Sequence, residues 1–386
     1  MPDSLASLFP TLYAGIAEFP RRQFGMIRAV QVDGKLSRAA LGQSVIWDVP
    51  QIGAVADIEP AATLPAPSAD VAKPLTYTMA ARKAVRIVVT GEASEAIGDA
   101  GMATRRANQY LQAFDALAAG IETYLAGLAI LNASRGFGTE DTVPFTASTT
   151  NLEYFAKLWG ILARNGRSVG ELSLVLNTAT AEAVRAYMGM LWKASEAGND
   201  DTLRNGYLTR LQGFNVYESN HMPKHTKGNA SGYKVDGAHA IGATTINLDS
   251  GTGEIKAGDL ISIADDPSGS KYVVTEGCDL AVAADVAIKI GAPGLMGAAA
   301  TTKAVTVHQY TPNLAFNQSA IGLGVRLPET PKEGDAAIDA TSIRDPYTGL
   351  VFEIRRYAEY RQIVDEVSIM YGGIVLDPEA IAIGLS

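Results

Sequence analysis

Cysteine is almost absent: Cys278 stands alone in 386 residues. A single thiol makes no internal disulfide and supplies neither a CxxC zinc site nor an iron–sulfur cluster. Basic excess is missing as well. Lys plus Arg number 32 against 41 Asp plus Glu, a formal net charge of −9, whereas a chain built to grip nucleic acid through its phosphates is basic. The first residues, MPDSLASLFPTLYAG, lack a basic segment and a continuous apolar core, so no secretory signal is read. The longest apolar stretch, Ala113 to Leu131, is interrupted by Asp115 and Glu122 and is read as falling short of a membrane span. Disorder is excluded by composition, since 47% of residues are hydrophobic and 19% charged, ample for a large core. The expectation is one to three domains, made in a reducing cytoplasm, with no membrane partner.

Residues 1 to about 40 mix Phe9, Tyr13, Phe19 and Phe24 with Arg21, Arg22, Arg28, Lys35 and Arg38, without a sustained period. They read as an N-terminal arm, either loosely ordered or docked on a neighbouring subunit. Over 44–90 three runs alternate with period two: Val45, Trp47, Val49; Leu75, Tyr77, Met79; Val85, Ile87, Val89. Pro50, Pro60, Pro65, Pro67 and Pro74, five of the 17 prolines, fall between the first two runs and rule out a helix or central strand there. The pattern predicts a long two-stranded arm with an extended tip. Such a hairpin is marginal in water alone. It needs a surface to lie on, and a partner subunit is the simplest supplier. Trp47 and Tyr77 are candidate intersubunit contacts, with Arg21, Arg22 and Arg86. The competing reading packs the two rings on each other across the hairpin.

From 102 to 132 the spacing turns helical. Leu111, Phe114, Leu117, Ile121, Leu125, Leu128 and Leu131 make one stripe on a helix roughly 45 Å long. Gly120 and Gly127 inside it read as close-packing sites or as a break into two helices. Alternating material follows: a helix over Leu152–Leu162, a strand over Leu172–Leu176, a helix over Ala179–Met188, then a turn and short strand before Tyr217. From Gly228 to His308 the chain becomes rich in Gly, Ala, Thr, Val and Ile with frequent turns, the pattern of a small inserted β-barrel or sandwich. Mixed α/β character returns from Asn313.

Motifs for chemistry fail on context. Gly166-Arg167-Ser168-Val169-Gly170 spells a nucleophile elbow, but it follows a helix and precedes a strand, the reverse of the order an elbow needs. His221 and His225 have metal-pair spacing, yet Pro223 lies between them and no HExxH is present. Asp265-Asp266-Pro267-Ser268-Gly269 reads as an acidic hairpin tip without the calcium-loop pattern. Gly322-Leu323-Gly324 is a fragment of a dinucleotide fingerprint lacking its third glycine. No cofactor, metal or catalytic residue is assigned, and the chain reads as a non-enzyme.

The order of these parts resembles the major capsid (coat) proteins of tailed bacteriophages with the Hong Kong 97-type fold, in the subgroup with a β-barrel inserted in the axial domain. The segments that carry the likeness are Leu211 to Ser219 (LQGFNVYES), Ala257 to Ile263 (AGDLISI) and Met370 to Glu379 (MYGGIVLDPE). The resemblance implies an α+β chain divided into an N-terminal arm (1–40), an extended β loop (41–91), a spine helix with peripheral domain (92–132), a first axial part (133–227), the inserted β domain (228–308), a second axial part (309–340), a return to the peripheral sheet (341–372) and a C-terminal axial segment (373–386). It implies a structural subunit made in the host cytoplasm and located in the virion. Pentamers and hexamers of the chain would assemble into an icosahedral head around double-stranded DNA. A portal, decoration proteins on some shells and non-specific contact with packaged DNA come with it. No long charged helical prefix precedes the arm, so a separate scaffolding protein is expected. An encapsulin-like compartment is the alternative within the fold, and a virion-associated adhesin the more distant one.

Overall fold

A computed structural model of the chain describes residues 24–49, 73–146, 152–187, 210–278, 286–346 and 348–386. It opens with helix α1 (Gly25–Ala29), strands β1 (Gln31–Ala39), β2 (Ser44–Val49), β3 (Lys73–Thr78) and β4 (Ala81–Thr90), and the long helix α2 (Gly91–Asn132). Next come β5 (Arg135–Phe137), helix α3 (Glu153–Arg164), β6 (Leu172–Asn177), helix α4 (Thr178–Tyr187), β7 (Arg210–Leu211) and β8 (Phe214–Ser219). The glycine-rich region contributes β9 (Lys234–Val235), β10 (Thr245–Asp249), β11 (Leu260–Ile263), β12 (Lys271–Glu276), β13 (Val286–Ile290) and β14 (Val305–His308). The chain closes with β15 (Pro312–Asn317), β16 (Ile321–Pro328), β17 (Ala337–Arg344), β18 (Val351–Glu359), β19 (Gln362–Val375) and β20 (Ile381–Leu385).

Two sheets share α2. A six-stranded sheet runs β1-β16-β19-β18-β17, with β4 also paired to β19. The 14-residue β19 organises it, since its first ten residues pair antiparallel with β4 and its last six with β16. A twelve-stranded sheet runs β7-β8-β6-β15-β20-β5-β12-β13-β10-β9, with β11 pairing β12 and β14. The expected insert is therefore not a separate layer: the three-residue β5 pairs with β20 on one side and β12 on the other, so its strands continue the sheet that precedes them. A bridge from Lys234 to Ala304 brings β9 back to the start of β14, and the inserted strands run nearly full circle around Ile246, Leu248, Ile261, Val274 and Ile288.

The expected helix over 102–132 starts earlier, at Gly91, and its 42 residues span roughly 63 Å. Its buried face is Tyr110, Phe114, Leu117, Ile121, Leu125, Ala129 and Ile130, packed against both sheets, while Leu131 points outward. Over Arg105–Asn132 it is, by length and composition, apolar enough to cross a membrane, contrary to the reading above, but it serves as the shared core helix of the two sheets. Neither inner glycine breaks the helix. A Cβ on Gly127 would meet nothing within 4 Å and one on Gly120 only Tyr371 Oη at 3.8 Å, so neither is a close-packing site. Residues 31–39, which show no period in sequence, form β1, a parallel edge strand on β16.

Candidate functional site

Strands β2 and β3 form a two-stranded ribbon, paired from Ser44 opposite Thr78 to Val49 opposite Lys73. Their alternation sorts side chains to two faces. Val45, Trp47, Leu75 and Tyr77 turn inward, whereas Ile46, Thr76 and Thr78 are exposed. The Trp47 and Tyr77 rings lie 6.1 Å apart at 58°, and they join Ala39, Met79, Met370 and Ile374 in a small separate core. Its floor is β16. A Cβ on Gly322 would come within 2.9 Å of the Trp47 ring, and one on Gly324 would overlap the Tyr77 phenol. The glycine pair that mimics a nucleotide fingerprint is the bare backbone on which two aromatic rings rest. Tyr77 is buried within its own chain, and burial raises its pKa.

Arg86 projects from β4 and pairs with Glu366 of β19 at 2.8 Å, with its side chain 72% exposed. Arg21 and Arg22 lie outside the described residues. The elbow-like serine sits in the turn between α3 and β6, where Gly166 (φ 73°) and Gly170 (φ 101°) adopt left-handed conformations that glycine alone takes easily. The histidines diverge: His221 stacks on Phe24, His225 pairs with Asp259, and His239 bonds Asp236 O and Asn247 N. Asp266 is used within its own hairpin by Ser268 and Tyr272, and Asp265 pairs with Lys303. Among the described residues no three His, Cys, Asp or Glu side chains gather as a metal site.

Polar junctions that sequence reasoning did not locate hold the layers together. Arg355 and Arg356 are neighbours on β18 and so face opposite sides. Arg356 turns toward α2 and meets Asp365 (Nε to Oδ1, 2.7 Å), to which Tyr110 of α2 also donates at 2.6 Å. Arg355 turns the other way to Glu353 and Asp335, and Arg38 of β1 joins Glu353 at 2.6 Å. The carboxylates beside Arg355 raise its pKa against the opposing effect of burial.

The root of the inserted strands is fixed by Asp259, which is fully buried. Its carboxylate accepts from Lys256 N at 2.8 Å and Gly228 N at 3.1 Å, and His225 Nε2 lies 2.7 Å away, its ring stacked on Tyr310. Asp259→Asn leaves a buried N–H facing an amide N–H₂ and is expected to cost about 1–3 kcal/mol. Faster proteolysis within 226–308, read by mass spectrometry, checks it.

Ser262, His308 and Glu140 line up as a hydroxyl–imidazole–carboxylate relay, with Oγ–Nε2 2.8 Å and Nδ1–Oε2 3.4 Å. Ser262 lies within β11 opposite Thr306, not on the strand-to-helix turn that presents a nucleophile. Glu140 is engaged by Lys227 Nζ and Gln309 N, and Lys271 Nζ caps Gly138 O, so the group ties the inserted strands to the turn after β5. Burial and Lys271 lower the pKa of His308.

No protein-family model matches the chain, and no curated protein matches it. Solved structures do. A chain from Mycobacterium phage Che8 is 14% identical with TM-score 0.46, covering 96% of this chain and 90% of that one. The capsid of the cyanophage P-SCSP1u gives 12% and 0.47, over 92% of this chain and 86% of that one. The mature capsid of bacteriophage PhiM1 gives 9% and 0.44, over 93% and 86%. Along most of its length this chain is similar to phage capsid chains.

Proposed function

We propose that the chain is the major capsid protein of a tailed phage, a structural subunit that builds the head. One observation carries the reading. Of the ten large hydrophobic side chains exposed among the described residues, Ile46 lies on the ribbon, Leu36, Val88 and Ile338 on the six-stranded sheet, and Leu41 and Tyr360 in turns that join their strands. Ile46 is 62% exposed on the outer face of a ribbon whose inner face is already satisfied. A two-stranded ribbon is marginal alone, and its outer face needs a cover. A second copy supplies the cover, and closed symmetry repeats each modest contact around a shell.

In this reading the parts follow the Hong Kong 97-type plan. The ribbon is the extended loop, α2 the spine, the six-stranded sheet the peripheral domain, and the twelve-stranded sheet the axial domain with its inserted strands. Trp47 and Tyr77 act by seating the ribbon. Ile46 and Thr76 on its outer face meet the neighbour, together with Arg86 and with Arg21 and Arg22 of the arm. The chain forms pentamers and hexamers, works with a separate scaffolding protein and a portal, accepts decoration proteins, and tolerates packaged DNA through non-specific contact.

Negative-stain electron microscopy of the recombinant chain, alone and with candidate scaffold genes, tests this. Uniform shells or capsomers are expected. Shells that co-purify with an enclosed enzyme favour an encapsulin-like compartment, and a stable monomer under every condition overturns assembly altogether.

A further inference from the structure

Glu122 lies within α2, about three turns from its C-terminal end, with none of its surface exposed, and no cation pairs with it among the described residues. Three neutral donors surround it. Ile27 N donates to Oε1 at 2.8 Å, and Met26 N and Ser219 Oγ donate to Oε2 at 3.1 and 2.9 Å. Met26 and Ile27 belong to the first turn of α1, whose N-cap Phe24 offers no side-chain acceptor. Glu122 therefore supplies, from about 95 residues away, the cap that α1 lacks. Ser219 ends β8 and also bridges to Phe24. One carboxyl thus joins α1, the long helix and the twelve-stranded sheet.

The charged and titratable groups on those elements are otherwise engaged or distant. Arg28 of α1 lies over the Tyr217 ring at 5.2 Å, Glu218 of β8 pairs with Arg185, and Asp115 is two helical turns away on α2. His221 stacks on Phe24 at 5.6 Å, and its backbone N–H, not its ring, reaches Ser219. Strand β6, which also packs on α1, carries no titratable side chain. A carboxylate buried without a counter-charge is costly in its ionised form even when hydrogen-bonded.

We propose that Glu122 is a pH-sensitive latch: protonated, it holds α1 and the end of β8 on the long helix; ionised in the same dry site, it weakens that junction. Burial outweighs the three hydrogen bonds and lifts its pKa from 4.5 to about 7. Opening would return the group to water and to its ordinary value. The closed junction then binds the proton more tightly than the open one. Opening becomes easier as pH rises between these two values, on the order of a hundredfold in all, and levels off above them.

Hydrogen exchange of the full-length chain, followed by mass spectrometry on the peptide spanning 24–30 and corrected for the intrinsic pH dependence of exchange, tests the latch. Protection at Met26 and Ile27 is expected to fall roughly thirtyfold from pH 5.5 to 8.5. Glu122→Gln is expected to abolish that dependence whatever its basal protection. Ser219→Ala, which removes a donor to the ionised form, is expected to move the midpoint upward and serves if the glutamine variant does not fold. Protection that is flat, or that falls toward acid, overturns the proposal. A dependence that survives Glu122→Gln also overturns it.

Discussion

Asp365→Ala is expected to destabilise the subunit by about 3–5 kcal/mol, the cost of removing one partner of a buried ion pair. Asp365 and Arg356 are 1% and 2% exposed at their side chains, and the two are joined by two hydrogen bonds of 2.7 and 3.0 Å. The carboxylate also takes the Tyr110 hydroxyl, whose pKa burial raises, so the phenol stays protonated as a donor. Truncation strips a guanidinium of its ion pair between α2 and the six-stranded sheet and removes the acceptor of a buried hydroxyl. Asp365→Asn keeps the shape and loses the charge, so it should fall between the wild type and alanine. The next residue is the internal comparison. Glu366 faces the other side of β19 and, among the described residues, pairs with the exposed Arg86, so Glu366→Ala should be close to neutral. Urea unfolding of the unassembled chain, followed by tryptophan fluorescence, measures all three. Equal effects at 365 and 366 would show that the buried network does not hold the layers.

That contrast also indicates what sequence could and could not supply. The ribbon was legible because Val45, Trp47, Leu75 and Tyr77 repeat with the period of a strand, and α2 because its core residues recur every three or four positions. The start of α2 was hidden by Gly98 and Gly101, which interrupt the pattern without ending the helix. Strand β5 has three residues, too few for any period, yet it is the stitch that makes the inserted strands part of a larger sheet. Charged junctions were hidden for a different reason. The sequence holds 41 carboxylates, and nothing local separates Asp365, which bonds an arginine nine residues away, from Glu122, which caps a helix 95 residues away. The adjacent Arg355 and Arg356 were a usable signal, because neighbours on a strand must face opposite sides and each needs its own acid. Gly322 and Gly324 show the limit most directly. Their meaning depends on rings that arrive from Trp47 and Tyr77, about 250–275 residues earlier in the chain.

Gly324→Val is accordingly expected to unseat the ribbon and, on the capsid reading, to prevent shell formation. The new Cβ would occupy the space of the Tyr77 phenol, and the strand beneath cannot retreat, because β16 is paired to β1 on one side and β19 on the other. The ring must leave. Tyr77 and Met79 are both buried in the small core under the ribbon, each at about 1.5–3 kcal/mol of burial, so most of the attachment goes with them. Within the chain the damage stays local, since this core is separate from the one around α2. The predicted phenotype is therefore a folded subunit with a cooperative unfolding transition near wild type, rapid proteolysis within 44–78, and no shells by negative stain. Adding Tyr77→Ala removes the overlap and should let Trp47 draw the ribbon back, slowing cleavage. If Gly324→Val assembles normally with the ribbon still protected, the seating of Trp47 and Tyr77 on the glycines is not what positions the outer face for a neighbour, and the capsid reading would have to rest on other surfaces of the six-stranded sheet.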